Sequence, residues 1–183
     1  MAEGYSIISC DDHVQEPPDL WTSRLSKAFA ERGPRVVRQS DGWDRWVVDG
    51  EVLNEWPVSR ARAISNGDRY LDIETWDQVP PASYDPAARA AAMDQDGVSA
   101  AVLYPYIAGL GGEILGAIKD PELQSACVDV YNNWLLETWT GDRFVPQALV
   151  PISSIDAAIV GAEKAVKAGH KAIVLPSAPW RIN

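Results

Sequence analysis

Asp11, Asp12 and His13 stand together directly after the apolar run Ser6-Ile7-Ile8-Ser9-Cys10. Such a run reads as a buried strand that delivers polar residues at its C-terminal end. Residues i and i+2 of a strand point to the same side, so Asp11 and His13 project together while Asp12 turns away. A carboxylate oxygen and an imidazole nitrogen on one face suit a divalent metal such as zinc or manganese. Glu16 is placed to add a further oxygen ligand or to orient His13 from behind. Asp-x-His is a short pattern with many accidental matches. The alternative therefore stays open that Asp11 and Asp12 form a turn and His13 is a hydrogen-bonded structural residue. His170, the other histidine, follows the helix-ending Gly169 and precedes a strand, which suggests a helix-terminal role away from any site.

Arg60, Arg62 and Arg69 lie in a Trp-containing segment of an otherwise acidic chain. They are candidates to clamp a substrate carboxylate by paired hydrogen bonds, with a solvated surface as the competing role. Tyr104 and Tyr106 follow another apolar run and are the remaining candidates for substrate contact. Gly109-Leu110-Gly111-Gly112 fits no dinucleotide or phosphate-loop spacing and is expected to be a loop.

These residues depend on a regular set of elements. Pro17-Pro18 forbids a helix, and Asp19 caps a short one through Leu20, Trp21 and Leu25. Residues 35–53 hold three extended runs separated by Asp41-Gly42 and Asp49-Gly50, which predicts a small antiparallel meander. Residues 54–84, with Trp56, Trp76 and three prolines, show no sustained period and read as a long lid-like loop over the site. From Asp85 the order becomes helix, strand, helix, strand, helix, strand. Asp85-Pro86, Asp120-Pro121 and Ser153 or Ser154 start the helices, and Gly97, Gly141 and Gly169 stop them. Leu123, Cys127, Val130 and Trp134 form one apolar stripe, and Ile155, Ile159, Ala162 and Val166 another. The strands are Ser99 to Tyr104, Phe144 to Ile152, and Lys171 to Pro176. Such alternation predicts a parallel sheet with helices outside, whose functional rim is the C-terminal ends of the strands. The fold class is α/β, with four strands where a closed eight-stranded barrel needs about 250 residues.

The chain has 183 residues, 26 acidic and 16 basic, for a net charge of −10. This length predicts a single domain over 1–183. The negative balance argues against nucleic acid or an anionic membrane as partner, because both select basic surface. No apolar run approaches the ~20 residues of a membrane span. Two distant cysteines and a start without secretory character predict the cytoplasm. Four of the eight tryptophans crowd into residues 43–76.

Tyr5 to Trp21, Y-S-I-I-S-C-D-D-H-V-Q-E-P-P-D-L-W, resembles the opening of the amidohydrolase-related metal-dependent hydrolases and decarboxylases. That group includes aminocarboxymuconate-semialdehyde decarboxylase and γ-resorcylate decarboxylase. Ala87 to Tyr106, containing M-D-Q-D-G-V-S-A-A-V-L-Y-P, resembles the family's second strand and the helix before it. Phe144 to Ile152 and Gly169 to Pro176 resemble its third and fourth strands. The resemblance implies the first half of a (β/α)8 TIM-type barrel, plus the small antiparallel insertion. It also implies one divalent metal ion, zinc ahead of manganese, with Asp11 as first ligand and His13 as second. Many members have His or Glu where Asp11 stands. The implied activity is hydrolysis or decarboxylation (a hydrolase or a lyase) of a small carboxylated or aromatic molecule. The family's later ligands, a His after a middle strand and an Asp after the last, have no counterpart here, and neither does its catalytic His. A non-catalytic half that needs a second copy, as a homo-oligomer, or a complementary chain is the alternative expectation.

Overall fold

The computed structural model describes residues 6–53, 58–64, 70–109 and 111–177; the side chains of 60–64 and 70–72 lie outside the described residues. Strand β1 (Ile7–Val14) is followed by an antiparallel sheet of β2 (Arg35–Arg38), β3 (Asp44–Val48) and β4 (Glu51–Val52). A hairpin of β5 (Ser59–Ile64) and β6 (Tyr70–Ile73) comes next, then two single 3-10 turns, Trp76–Gln78 and Pro81–Ser83. The rest runs α1 (Pro86–Asp96), β7 (Val98–Pro105), α2 (Glu113–Gly116), α3 (Pro121–Thr138), β8 (Phe144–Ala148), α4 (Ile155–Ala168) and β9 (Ala172–Ile173). The main sheet is parallel and four-stranded, in the order β1-β7-β8-β9.

Local chemistry sets the helix ends. Asp85 accepts from the Ala88 amide, Asp120 from the Glu122 and Leu123 amides, and Ser154 from the Ala157 amide. Each satisfies donors that the first turn leaves without partners. Gly97 and Gly169 close α1 and α4 at positive φ, 70° and 117°. There a side chain would crowd the following carbonyl. Helix α3 ends at Trp139 rather than at Gly141, because the Trp139 indole packs edge-on against Phe144 at 5.2 Å and caps the helix by tertiary contact.

The core lies between the sheet and α1 and α3. Ala101 and Leu103 of β7 meet Leu123, Cys127, Val130, Tyr131 and Trp134 of α3, so the expected α3 stripe is buried. The meander stays outside the main sheet, as its two Asp-Gly turns predict, and is sewn to the core by tryptophans. Trp21 donates to the Cys127 carbonyl at 3.0 Å and meets Trp46 edge-on at 5.9 Å; Trp46 donates to the Val58 carbonyl at 3.1 Å.

Further expectations differ from what is observed, among them the burial of the first strand, whose Ile7 and Ile8 are exposed on the sheet edge. The segment after Asp19 forms successive turns rather than a helix, with the Leu25 amide bonded to the Trp21 carbonyl, because Trp21 and Leu20 are pinned by the core. Residues 54–84 contain the β5–β6 hairpin and not only a loop. The hairpin pairing is local, but its strands Ser59–Ile64 and Tyr70–Ile73 lack the apolar runs that mark the other strands. The stripe Ile155, Ile159 and Val166 of α4 points outward, with Ile155 80% exposed. The sheet edge at β9 offers no further helix, among the described residues, to cover it. No helix among the described residues is long and apolar enough to cross a membrane.

Gln124 links two loops near the strand ends. Its amide nitrogen donates to the Gly116 and Ile118 carbonyls, and its oxygen accepts from the Ile152 and Ser153 amides at 2.8 Å each. Gln124→Leu is expected to lower the unfolding free energy by about 2 kcal/mol, since buried backbone groups lose their partners. Urea denaturation reads this directly, and an unchanged midpoint would contradict it.

Candidate functional site

Strand β1 reaches the rim with a register shift. Ser9 pairs with Ala101, but Asp12 pairs with Leu103 and His13 with Tyr104, so β1 carries one extra residue between Ser9 and Asp12. Such a bulge re-aims the side chains beyond it. Asp12 thereby shares the face of buried Leu103 and meets Arg89 of α1 at 2.9 Å. The same guanidinium donates to the His13 carbonyl at 2.7 Å and fixes the strand end from the helix side. His13 is thus turned to the opposite face, beside the Tyr104 ring at 6.0 Å between centroids.

Asp11 and His13 approach each other on that face. His13 Nε2 lies 3.4 Å from Asp11 Oδ1, with the carboxylate side chain 88% exposed and the imidazole 31%. The other ring nitrogen, Nδ1, is 2.8 Å from the Pro105 carbonyl oxygen. A carbonyl only accepts, so Nδ1 carries the hydrogen and Nε2 is the nitrogen left to face Asp11. One oxygen donor and one aimed nitrogen donor on an open rim fit two positions of a zinc or manganese ligand set.

Glu16 lies elsewhere. It is fully buried, and its carboxylate accepts from the backbone amides of Tyr106 at 3.2 Å, Ile107 at 2.9 Å and Ala108 at 3.4 Å. Burial pushes its pKa up to about 7, against the pull of those amides. In this structure its oxygens accept from the turn after β7. Among the described residues no group of three His, Cys, Asp or Glu is gathered for a metal.

Tyr104 lies on the His13 face of the sheet, and the Tyr106 backbone is held by Glu16. Arg60 and Arg62 lie on β5, and Arg69 falls between β5 and β6; the side chains of all three lie outside the described residues. The end of the 54–84 segment does reach the rim, where the Ser83 carbonyl accepts from the Gln15 amide at 2.8 Å just past β1. His170 is buried at the opposite end, its ring nitrogens against the Pro146 and Asn132 carbonyls. Residue pattern did not reveal Arg89, a helix residue whose partners are all distant in sequence, nor the bulge that separates Asp12 from its neighbours.

Among solved structures, an amidohydrolase from Mycobacterium avium subsp. paratuberculosis K-10 superposes with a TM-score of 0.70 at 22% identity. This chain has an amidohydrolase-like fold. The match covers 94% of this chain and 49% of the amidohydrolase chain, so the four strands and their helices correspond to half of a barrel. No family model matches the sequence, and no curated protein matches it. The amidohydrolase-like half therefore rests on backbone architecture, and its rim is where β1 brings Asp11 and His13.

Proposed function

We propose that this chain carries one half of a metal-dependent hydrolase or decarboxylase site, in which Asp11 and His13 hold one divalent metal ion, zinc ahead of manganese. The observation that carries the reading is the His13 Nδ1 hydrogen bond to the Pro105 carbonyl, which aims Nε2 toward the Asp11 carboxylate. When bound, such a metal polarises a substrate oxygen and acidifies water. The chain's own residues would fix the ligand geometry and shape the pocket. Tyr104 flanks His13, while Arg60, Arg62 and Tyr106 are assigned to a small carboxylated or aromatic substrate. Hydrolysis and decarboxylation both remain within this reading.

Calorimetric titration with Zn²⁺ and Mn²⁺ tests it. One equivalent is expected to bind the wild-type chain, and Asp11→Asn and His13→Ala are each expected to weaken binding at least about tenfold. Asp12→Asn is the control, because that carboxylate is spent on Arg89. Equal affinity in all four proteins would overturn the assignment.

A second reading, that the chain is a non-catalytic half requiring a second copy or a complementary chain, draws on the sheet itself. Strands β1 and β9 end the four-stranded order, and Ile7 and Ile8 on β1 and Leu175 beyond β9 are exposed. Unpaired strand edges with apolar side chains favour association.

A further inference from the structure

We infer that Glu16 is the positioning residue of His13 and acts through a single peptide group, the one joining Pro105 to Tyr106. The inference rests on the reading of His13 as a metal ligand. The carbonyl of that peptide accepts from His13 Nδ1 at 2.8 Å, and the amide of the same peptide donates to Glu16 Oε1 at 3.2 Å. A peptide group is planar and stiff, so holding its amide end fixes the direction of its carbonyl end. The Ile107 amide on Oε2 and the Ala108 amide on Oε1 lock the turn that follows. Glu16 therefore reaches His13 without touching it, through the series carboxylate, amide, carbonyl, imidazole.

The electrostatics run in the same sense as the geometry. A carboxylate accepting from an amide makes a charge-assisted bond and polarises the peptide, leaving its carbonyl oxygen more negative. That oxygen then holds the Nδ1 hydrogen more firmly. The lone pair stays on Nε2, and the ring becomes a better donor to a cation. Metal-ligating imidazoles in general have a carboxylate or a backbone carbonyl behind them; here both stand in line. Full burial keeps water from competing for the carboxylate. Tyr131 of α3 faces the same group, its hydroxyl buried and held neutral by burial and by the nearby carboxylate.

A structural role alone, closing the turn after β7, would leave His13 indifferent to the charge on Glu16. Nitrogen NMR of the full chain labelled at histidine separates the two at pH 8 without any metal. Wild-type His13 is expected as a single tautomer, hydrogen on Nδ1 and lone pair on Nε2. Glu16→Gln keeps the shape and removes the charge. It is expected to give a mixture of tautomers and, with Zn²⁺ added, binding weakened about 10- to 100-fold, while circular dichroism remains that of the folded chain. A folded Glu16→Gln protein with the wild-type tautomer and affinity overturns the proposal. If Glu16→Gln does not fold, Glu16→Asp retains the charge with a shorter reach and is expected to show the same mixed tautomer. An unchanged tautomer there, or failure of both variants to fold, assigns Glu16 to the fold alone. Should the wild-type chain bind no Zn²⁺, the functional reading falls, and the tautomer measurement still decides the relay.

Discussion

Between pH 4.5 and about 7, wild-type stability is expected to fall by roughly 3 kcal/mol relative to Glu16→Gln. The cause is one carboxyl group whose pKa rises from 4.5 when exposed to about 7 in the fold. In that window the native chain keeps a proton that the unfolded chain has released, so raising the pH favours unfolding. Below 4.5 both states hold the proton and the penalty vanishes; above about 7 it is complete. Other groups act in the opposite sense. Burial holds the His170 pKa below its usual value, so its contribution is present near neutrality and is lost as pH falls below about 6.5. Asp41, hydrogen-bonded to Arg45, and Asp49 and Asp120, both hydrogen-bonded to Arg32, are held low. Their contributions are lost only as pH falls through the ordinary carboxylate range. The difference between wild type and Glu16→Gln cancels these shared terms. Urea denaturation of both proteins at half-unit pH steps measures it, and a difference that stays flat from pH 4.5 to 7.5 would show that Glu16 titrates normally.

Much of this architecture is written locally. Asp85-Pro86, Asp120-Pro121 and Ser154 start helices because a capping side chain needs only the next three amides. Gly97 and Gly169 stop helices for an equally local reason. Asp41-Gly42 and Asp49-Gly50 mark the meander, with Asp49, Gly42 and Gly50 at positive φ. What remained hidden depends on distant partners. Strict alternation puts Ser9 on the face of His13, whereas the bulge pairs Ser9 with Ala101 and His13 with Tyr104. No residue type in Cys10-Asp11 announces that extra residue. Glu16 stands three residues from His13, and its amide partners at Tyr106 to Ala108 follow from the pairing of β1 with β7, which the spacing does not show. The outward stripe of α4 has the period of a buried face, and periodicity does not say what covers it. Asp11 and His13 were legible as a two-residue spacing, and their side chains still approach each other although Asp11 falls within the bulge.

The purified chain alone is expected to turn over aromatic carboxylates, small esters or amides at least about a thousandfold more slowly than an assembly that completes the barrel. In the proposed site Asp11 and His13 would supply two donors, whereas a catalytic zinc takes three protein ligands with an open fourth position. General acid or base assistance typically contributes 10²- to 10⁴-fold. The only other histidine, His170, is buried at the far end against two backbone carbonyls. Glu16, whose pKa of about 7 would suit proton transfer, faces the amides of a closed turn rather than the rim. Among the described residues the sheet ends at β1 and β9, the match spans about half of the amidohydrolase chain, and Ile8 on the edge strand is 58% exposed. A second copy would restore edge pairing and bring two Asp11–His13 pairs to one rim, without adding a new kind of ligand. A complementary half could add both ligands and a proton-transfer group. An assay with added Zn²⁺ or Mn²⁺, run beside size-exclusion chromatography, separates these cases. Association without turnover is the outcome expected of the wild-type chain, and Ile8→Lys is expected to shift it toward monomer by placing a charge on the open edge. Robust turnover by a monomeric chain would mean that the described rim holds a complete site, and it would overturn the half-barrel account of the chemistry.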